Sequence, residues 1–509
     1  MNHWIIVPAI LPALAAAFLI LALRHDLNRQ RMVSVAVTIM LLVVAIGLFM
    51  EASKGTTIAY ELGNWPAPYG IVLVLDRLSA TMLLLNAVLA LAVLIYAISG
   101  WDSRGRHFHP LFQFQLLGIN GAFLTGDVFN LFVFFEVMLI ASYGLMLHGG
   151  GAPRLKAGFQ YVTINIVSAT LFLFAVGLIY AATGTLNMAD LAMKVPQVAA
   201  ADQAILKTGA LLLFMVFATK AALVPLHWWL PATYSGAAAP VAALFMIMTK
   251  VGAYTILRVY GLIFGAEAGA LAQVAAPFVL PAALATLVLG TIGLLGSRTL
   301  RDLAGFSVIA SMGTLFIAVG LFDLAGTTAA LYYLVHSTLA GAALFLLAGL
   351  IAERRGQWGD RLVPAPAIAG ETVLGAMFLL AAIAMVGLPP LSGFLGKVIV
   401  MQAAGASPWW PGIWALILVC SLVMTVGFAR AGSTLFWASG EPAKMQASDT
   451  GRPAQIGAVA VLLLLTAAWT VAAGPAMQSL AATAEQALDR DAYVRAVLQP
   501  GATPLEAEE

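Results

Sequence analysis

Five ionisable residues interrupt long apolar runs of the sequence: Glu136, Lys220, Lys250, His336 and Lys397. A charged side chain at the centre of a bilayer costs at least about 2.5–3.5 kcal/mol on insertion scales, so such groups face the protein interior, pair or line water. Fixed internal salt bridges are one reading of this set, but a single carboxylate cannot neutralise three lysines. Because burial disfavours the charged form of a lysine, exchange of its proton becomes accessible. The residue types therefore predict proton transfer along a buried chain.

Two of the lysines lie close to prolines that interrupt an apolar run. Pro225 follows Lys220, and Pro389 and Pro390 precede Lys397. Proline removes a backbone donor and frees a carbonyl group, which within a membrane must be satisfied by protein or water. Discontinuous helices that carry an ionisable residue recur in transporters. The pattern predicts two broken spanning helices with a functional lysine in each.

The histidines and the cysteine limit the other kinds of chemistry. His336 is either a proton relay, since its unperturbed pKa is nearest to neutral, or a hydrogen-bonded structural residue. His227 lies beside Trp228 and Trp229, a pair that predicts anchoring at the membrane interface. The single cysteine, Cys420, excludes disulfides and cysteine-ligated clusters. No phosphate-binding loop, metal-ligand cluster or catalytic triad is visible, so no cofactor and no metal are expected.

The composition defines the elements that must position these residues. The 509 residues are 62% hydrophobic and only 9% charged, with a mean hydropathy of +0.96, whereas soluble domains carry about 25% charged residues. A soluble enzyme is therefore excluded, and the net charge of +2 gives no reason to expect nucleic acid as a partner. Apolar runs of roughly 20 residues predict spanning helices. The predicted fold class is an all-α integral membrane protein.

Hydropathy predicts fourteen transmembrane helices. No basic segment precedes the first apolar run, which indicates a retained span rather than a cleaved signal peptide. Almost no loop separates the fourth and fifth spans, and the twelfth is too long for one straight helix. The predicted spans are 4–23, 32–50, 77–99, 109–126, 127–147, 157–181, 206–229, 237–263, 273–296, 302–321, 327–351, 372–404, 412–437 and 456–474.

The basic residues outside the spans predict the orientation. If the N-terminus is outside, fifteen of the 25 Lys and Arg residues lie in inner loops and five in outer segments, as the positive-inside rule requires. Both termini are then expected outside. Of the other five, Arg77 is expected to pair with the adjacent Asp76 at the interface, and Arg258 to extend to the outer surface. The remaining three are the intramembrane lysines.

The spacing of the broken spans suggests an internal duplication. Lys220 and Lys397 are 177 residues and five spans apart, and an odd number of spans inverts one copy relative to the other. We therefore divide the chain into four regions. They are N-terminal helices in 1–108, a first repeat of spans four to eight in 109–264, a second inverted repeat of spans nine to thirteen in 265–440, and the last span with a C-terminal tail in 441–509.

Six segments of the sequence resemble one family, the antiporter-like subunits shared by respiratory complex I, membrane-bound hydrogenases and Mrp-type cation/proton antiporters. The likeness runs from about residue 60 to 440 and is greatest to the D-type subunits of Mrp antiporters. It implies fourteen helices, two inverted five-helix repeats, and broken seventh and twelfth helices. The segments are GNWPAPYGIVLVLDRLSA, GDVFNLFVFFEVMLIASYGL, KAALVPLHWWLPATYSGAAAPVAALF, TKVGAYTILR, LVHSTLAGAALFLLAGL and GLPPLSGFLGK.

The resemblance also implies roles for the five buried residues. Glu136 matches the family's fifth-helix glutamate and Lys220 the lysine of the broken seventh helix, and in the family these two form an ion pair that tunes the lysine's proton affinity. Lys250 matches the eighth-helix lysine, and His336 the eleventh-helix histidine of the central hydrophilic axis. Lys397 matches the ionisable residue of the broken twelfth helix. Some complex I relatives carry glutamate there, so lysine fits the D-type subunits, although other relatives also use it.

The implied function is proton translocation in a multisubunit Na⁺/H⁺ antiporter of the cell membrane. The expected partners are other small hydrophobic subunits, the lipid bilayer, protons, and Na⁺ or K⁺. One intramembrane glutamate is few for a dedicated sodium site, so the cation path is left open, in another subunit or at an interface. The alternatives are a proton-pumping subunit of a complex I-like or hydrogenase-type oxidoreductase, a stand-alone solute carrier, and a non-transporting scaffold.

Overall fold

The structure, a computed structural model, describes residues 2–368, 370–438 and 453–499. In these residues, twelve helices are long and apolar enough to cross a membrane, some of them together with an adjoining 3-10 or π turn. The chain is therefore a multi-pass helical membrane protein, as the composition predicts. The helices are α1 (Val7–Leu21), α2 (Leu27–Ala52), α3 (Arg77–Ala97), α4 (Phe108–Leu124), α5 (Val128–Met146), α6 (Ala152–Thr183), α7 (Met188–Lys194), α8 (Gln203–Lys220), α9 (Trp229–Gly236), α10 (Ala239–Leu262), α11 (Ala276–Gly296), α12 (Leu300–Val319), α13 (Leu324–Arg354), α14 (Glu371–Val386), α15 (Ser392–Ala404), α16 (Trp410–Gly432), α17 (Pro453–Val471), α18 (Ala473–Leu488) and α19 (Arg490–Leu498).

Each predicted span overlaps a helix or a pair of helices. The fourth corresponds to α4, which has 17 residues, and the twelfth to the two shorter helices α14 and α15. The count of fourteen thus depends on adding α4 and the α14–α15 pair to the twelve longer helices. Both predicted breaks are present, because the chain leaves helical geometry between α8 and α9 and between α14 and α15.

An antiparallel hairpin between α2 and α3 is an addition to the predicted all-α membrane fold. Its strands are β1 (Ile58–Glu61) and β2 (Val72–Leu75), with Ile58 opposite Leu75. Strands of four residues are far shorter than the roughly 20-residue runs by which spans are recognised. Hydropathy alone therefore assigned this segment to a loop.

Two of the helices that carry candidate residues, α10 and α13, lie at the centre of the bundle. The most apolar stretch of α13 is wholly buried, and those of α10 and α12 are nearly so, whereas α1, α2, α6 and α17 leave most of their surface on the outside. A helix that is apolar all round is expected in the interior. Lys250 on α10 and His336 on α13 are therefore enclosed by protein rather than by lipid.

Two short backbone bridges tie distant segments together in the same way. In the first bridge, Val128 N donates to Leu186 O at 2.9 Å and Met188 N to Gly126 O at 2.8 Å. In the second bridge, the corresponding bonds are Leu300 N to Asp360 O at 2.8 Å and Leu362 N to Arg298 O at 2.9 Å. Each bridge joins the start of one helix, α5 or α12, to the segment after the next helix. The second bridge repeats the first about 170 residues further along the chain.

The ion pair at the start of α3 differs from the prediction. Asp76 pairs with Arg258 of α10 at 2.6 Å, and both side chains are buried. Arg77 instead donates to the carbonyl of Ser53 at 2.7 Å. As the N-cap of α3, Asp76 also accepts from Ser79 N, so its carboxylate turns away from Arg77. The predictions of an Asp76–Arg77 pair and of an Arg258 that extends to the surface are both wrong.

Candidate functional site

Lys220 is the last residue of α8, and its ammonium group is held by a neutral acceptor. Its Nζ donates to Oδ1 of Asn165 on α6 at 2.5 Å, and the lysine is buried. The C-terminal end of a helix carries partial negative charge, which favours a cation there. Among residues 2–368, 370–438 and 453–499, no carboxylate oxygen lies within 4.0 Å of Lys220 Nζ. The ion pair with Glu136 that the resemblance implies is therefore not formed.

Hydrogen bonds fasten the break that follows Lys220. The indole Nε1 of Trp229 donates to Thr219 O at 3.0 Å, and Val224 N donates to the hydroxyl of Thr286 on α11 at 2.9 Å. The first bond satisfies a carbonyl at the open end of α8. Trp229 is only 3% exposed whereas Trp228 is 52% exposed, so the predicted interfacial anchoring is wrong for Trp229.

Glu136 lies in the middle of α5 and is half-buried. It is close enough to Lys220 for a Coulombic interaction. Within the part of the chain that the structure describes, its carboxylate accepts no hydrogen bond. A partly exposed carboxylate at mid-membrane must be covered by water or by other protein.

Lys250 is fully buried in α10, and its Nζ has no hydrogen-bond partner in the described residues. Gly252, two residues further on, lets α10 approach the end of α8. A Cβ added at Gly252 would lie 2.7 Å from Ala221 N, so a larger residue would push the two helices apart. This approach brings the part of α10 that carries Lys250 against the end of α8. An unpaired ammonium in such surroundings is costly, so Lys250 needs a water or an arriving proton to be charged.

His336 connects α13 to the start of the second half-helix α15. Its Nδ1 is hydrogen-bonded to the hydroxyl of Ser392 at 2.8 Å. A Cβ added at Gly393 would lie 2.9 Å from its Nε2, so this glycine makes room for the ring. His336 is also within Coulombic range of both Lys250 and Lys397. The histidine thus stands between two of the buried lysines.

Lys397 follows the second break in the chain but reaches back across it. Its Nζ donates to Val386 O, at the C-terminal end of α14, at 2.7 Å and to the hydroxyl of Ser421 on α16 at 2.7 Å. Gly387 ends α14 in the left-handed region with φ 80°. A Cβ there would lie 2.9 Å from Lys397 Cδ. The glycine therefore serves both the turn and the passage of the lysine stem.

The five predicted residues fall into two electrostatic groups. Glu136 and Lys220 form one, and Lys250, His336 and Lys397 form the other. The close approach of α10 to α8 joins them. The lysine–oxygen contacts in this set are all to neutral oxygens, so no carboxylate of the described residues fixes a lysine in its charged form. The arrangement suits groups that gain and lose protons better than groups that hold a fixed charge.

Uncharged polar residues are the part of the site that the sequence analysis missed. Asn165 and Ser421 hold the two lysines of the broken helices, Ser392 holds His336, and Trp229 caps α8. Hydroxyl residues in spanning helices commonly bond to the carbonyl four residues earlier, as Ser421 also does. Asn165 is the one asparagine in the apolar run of α6, but its position in the sequence does not show which residue it contacts.

Two aspartates that lie outside the spanning helices belong to the two bridges, on opposite sides of the junction and in different electrostatic surroundings. Asp127 precedes α5 at the first bridge, and burial raises its pKa above the usual range. Asp360 lies in the second bridge. Burial also acts to raise its pKa, but hydrogen bonds from Arg301, with both nitrogen–oxygen distances 2.9 Å, outweigh this and lower it. Within the described part of the chain, no cation compensates the carboxylate of Asp127 as Arg301 compensates that of Asp360.

Comparisons with known proteins identify the family of the chain. Residues 125–425 match the family described as NADH:quinone oxidoreductase/Mrp antiporter, TM. The chain is 40% identical to a probable K(+)/H(+) antiporter D-type subunit of Rhizobium meliloti, over 96% of both chains. It is 35% identical to the Na(+)/H(+) antiporter D-type subunit of Alkalihalophilus pseudofirmus, over 98% of this chain and 100% of that one. A chain of the Mrp complex from Dietzia sp. superposes with a TM-score of 0.87 at 27% identity, covering 98% and 99%. The protein therefore belongs to this family of antiporter-like membrane subunits.

Proposed function

We propose that this chain is the proton-translocating D-type subunit of a multisubunit monovalent cation/proton antiporter. The observation that carries the proposal is the set of three buried lysines, two of them at helix breaks and none in contact with a carboxylate of the described residues. The names of the relatives, D-type subunits of Na(+)/H(+) and K(+)/H(+) antiporters, support the same function.

The proton path runs along the axis Glu136, Lys220, Lys250, His336 and Lys397, with internal water between the groups. Approach of Glu136 favours the protonated form of Lys220, and withdrawal of the carboxylate lets the lysine release its proton toward Lys250. His336 links Lys250 to Lys397 across the bundle centre. Lys397 exchanges its proton with the outer side, because it lies in the second half of a span that begins inside.

The proposed architecture has fourteen transmembrane helices with two inverted five-helix repeats. The matched hydrogen bonds of the two bridges support it, since a similar junction recurs about 170 residues later. With the N-terminus outside, the first bridge lies on the outer face and the second on the inner face, as inversion requires. The repeats occupy about 109–264 and 265–440, after N-terminal helices in 1–108. The boundary between 440 and 441 lies outside the described residues.

The proposed setting is the cell membrane, with both termini on the outer side. The proposed partners are the other hydrophobic subunits of the antiporter, and the half-exposed Glu136 is consistent with a covered lateral surface. The cation exchanged for protons is Na⁺ or K⁺, since relatives with either name match over nearly the whole chain.

The test is proton flux through the purified native complex in liposomes, with the subunits identified. Addition of Na⁺ or K⁺ should drive proton movement, and Lys220→Ala in this chain should abolish it. Lys207→Ala is the matched control, because Lys207 lies on the same helix but is exposed near its start.

Three outcomes would contradict the proposal. Normal cation-driven proton flux with Lys220→Ala would exclude the axis. Co-purifying flavin or iron–sulfur subunits, with flux only during electron transfer, would assign the chain to an oxidoreductase. Transport of an organic solute by the isolated chain would indicate a stand-alone carrier.

A further inference from the structure

We propose that Asn165 is the second, neutral acceptor for Lys220, and that the lysine alternates between this amide and the carboxylate of Glu136 during each transport cycle. The inference rests on the proposed function of the Lys220 axis and adds a positioning residue to it. It also identifies the state that the structure represents, with the lysine on the amide.

The contact between Lys220 and Asn165 is short and enclosed. The two atoms, Lys220 Nζ and Asn165 Oδ1, are 2.5 Å apart, and the two residues are 5% and 1% exposed. They lie 55 positions apart in the sequence, on α8 and α6. A hydrogen bond to a charged donor in buried surroundings is roughly twice as strong as a neutral one. The amide is therefore a true holding site for the lysine.

The amide of Asn165 is oriented so that it can only accept from the lysine. Its Nδ2 donates to the carbonyl of Tyr161, one turn earlier on α6, at 2.6 Å. The carbonyl oxygen of the side chain is thereby turned toward α8. A reversed amide would set two donors, Nδ2 and Nζ, against each other, so the hydrogen-bond pattern itself fixes the orientation.

Neighbouring side chains keep this acceptor in place. The Tyr161 hydroxyl is hydrogen-bonded to Ser142 of α5 at 2.8 Å, and its ring packs 5.5 Å, centroid to centroid, from that of Trp229. Trp229 in turn caps α8 one residue before Lys220. The acceptor, the helix break and the helix that bears Glu136 are therefore parts of one packed unit.

The two acceptors differ in the protonation state that they favour. A carboxylate stabilises only the charged lysine, through its opposite charge. An amide oxygen accepts a hydrogen bond from either an ammonium or a neutral amine. Transfer of Lys220 from Glu136 to Asn165 therefore removes the charge that held its proton, while the side chain stays anchored. Lys220 would therefore release its proton while its nitrogen is held at Asn165 Oδ1.

Few charged or titratable groups surround this exchange. Among the titratable groups of the described elements packed around Lys220, Glu136 on α5 interacts with the lysine electrostatically. Tyr143 on α5 interacts with Glu136, Tyr234 on α9 with Tyr161 on α6, and Lys250 on α10 with His336. Glu136 is the charged group that interacts electrostatically with Lys220. A change at Asn165 should therefore appear in the pH profile of antiport through the Lys220–Glu136 pair.

The test uses near-isosteric variants of Asn165 in the complete antiporter, with antiport measured in membrane vesicles as a function of pH. Asn165→Leu removes the acceptor, so Lys220 stays with Glu136 and the profile should shift to higher pH by about one unit. Asn165→Asp adds a carboxylate in contact with the lysine and should shift it further or abolish activity. The double variant Glu136→Gln with Asn165→Asp exchanges the positions of the charged and the neutral acceptor. Its antiport activity should be higher than that of Glu136→Gln alone or Asn165→Asp alone.

Asn86→Leu is the matched control. Asn86 is a buried asparagine on α3 that is hydrogen-bonded to Asn120, away from the axis. It should lower stability without moving the pH profile. Wild-type profiles in both Asn165 variants, or no recovery in the double variant when all proteins assemble, would overturn the inference. Activity that survives Lys220→Ala would instead remove the proposed function on which it rests.

Discussion

The two broken helices place a lysine at the same electrostatic position by opposite routes. In the first, Lys220 is itself the last residue of a half-helix, α8. In the second, Lys397 lies beyond the break, and its side chain turns back to the last carbonyl of α14, that of Val386. Lys220 therefore lies in the last turn of one half-helix, and the ammonium of Lys397 contacts the last carbonyl of another. The backbone dipoles favour a cation at such an end.

The difference between the two sites lies in the remaining acceptors. Lys220 has one side-chain acceptor, Asn165, with a carboxylate nearby. Lys397 has two neutral oxygens in contact, from Val386 and Ser421. The first half thus combines its helix end with a nearby carboxylate, that of Glu136. The second half combines its helix end with two neutral oxygens. The two halves therefore share a lysine near the C-terminal end of a half-helix, although the lysine precedes the break in one half and follows it in the other.

The largest expected effect is from replacing either lysine by arginine. Lys220→Arg and Lys397→Arg keep the positive charge and the donors, but a guanidinium does not give up its proton in proteins. Since positioned proton transfer contributes roughly 10²–10⁴-fold to a rate, antiport should fall by about 10²-fold or more in both variants. Lys207→Arg on the exposed side of α8 should leave it unchanged. Full activity in one arginine variant would show that this half holds a fixed charge.

A smaller effect is expected from Ser421→Ala. Lys397 then keeps the carbonyl of Val386, so one of two neutral bonds is lost, at a cost of about 1.5 kcal/mol or roughly tenfold in rate at most. Antiport assays on the assembled complex measure this loss of rate and compare it with the loss caused by Asn165→Leu. If Ser421→Ala abolishes transport as completely as Lys397→Arg does, the carbonyl of Val386 alone cannot hold Lys397 in its working position.

Trp229→Phe tests whether the cap of the first break matters for stability. The change removes the indole donor to Thr219 O, which still accepts from Ala222 N at 3.1 Å. A loss of about 1 kcal/mol in unfolding free energy is expected, with antiport largely retained. Thermal unfolding in detergent measures it, and Trp228→Phe, which alters an exposed residue, is the control. Equal stability of both variants would argue against the cap.

The smallest effect concerns the aspartates of the two bridges. The folded pKa of Asp360 is lowered, so its contribution to stability is present above the unfolded value of about 3.9 and is lost as pH falls through the folded value. The folded pKa of Asp127 is raised, so its burial costs stability as pH rises from about 3.9 through the folded value. Asp360→Asn should therefore destabilise the protein at neutral pH and much less in acid.

Asp127→Asn, which keeps a good N-cap for α5, should stabilise the protein slightly at neutral pH and not in acid. Thermal unfolding of both variants over pH measures the two slopes. If the effect of both substitutions on stability changes with pH in the same direction, the two aspartates do not have oppositely shifted pKa values.

Much of the frame was predictable from the sequence, because apolar runs and proline positions act locally. The broken helices at Lys220 and Lys397 follow from Pro225 and from Pro389 with Pro390. The partners of the lysines were not predictable. Asn165 is 55 residues from Lys220, and nothing local identifies which of many polar residues will meet it.

The Asp76 pair was predicted wrongly for the same reason. The adjacent Arg77 was the nearest basic residue in sequence, but packing of α10 against α3 brings Arg258 to the carboxylate from 182 positions away. The hairpin was not predicted because its four-residue strands are too short to give a hydropathy pattern. The proton-transfer roles of the five buried residues remain predictions, supported by the neutral surroundings of the lysines.

The most direct test of the central claim is to observe the protonation state of Lys220 itself. Nitrogen-15 NMR of lysine-labelled complex distinguishes ammonium from amine, and Lys220→Arg identifies the signal. Over the pH range in which the antiporter works, we expect the Lys220 signal to change from ammonium to amine. An ammonium signal that persists throughout that range would contradict a proton-carrying lysine.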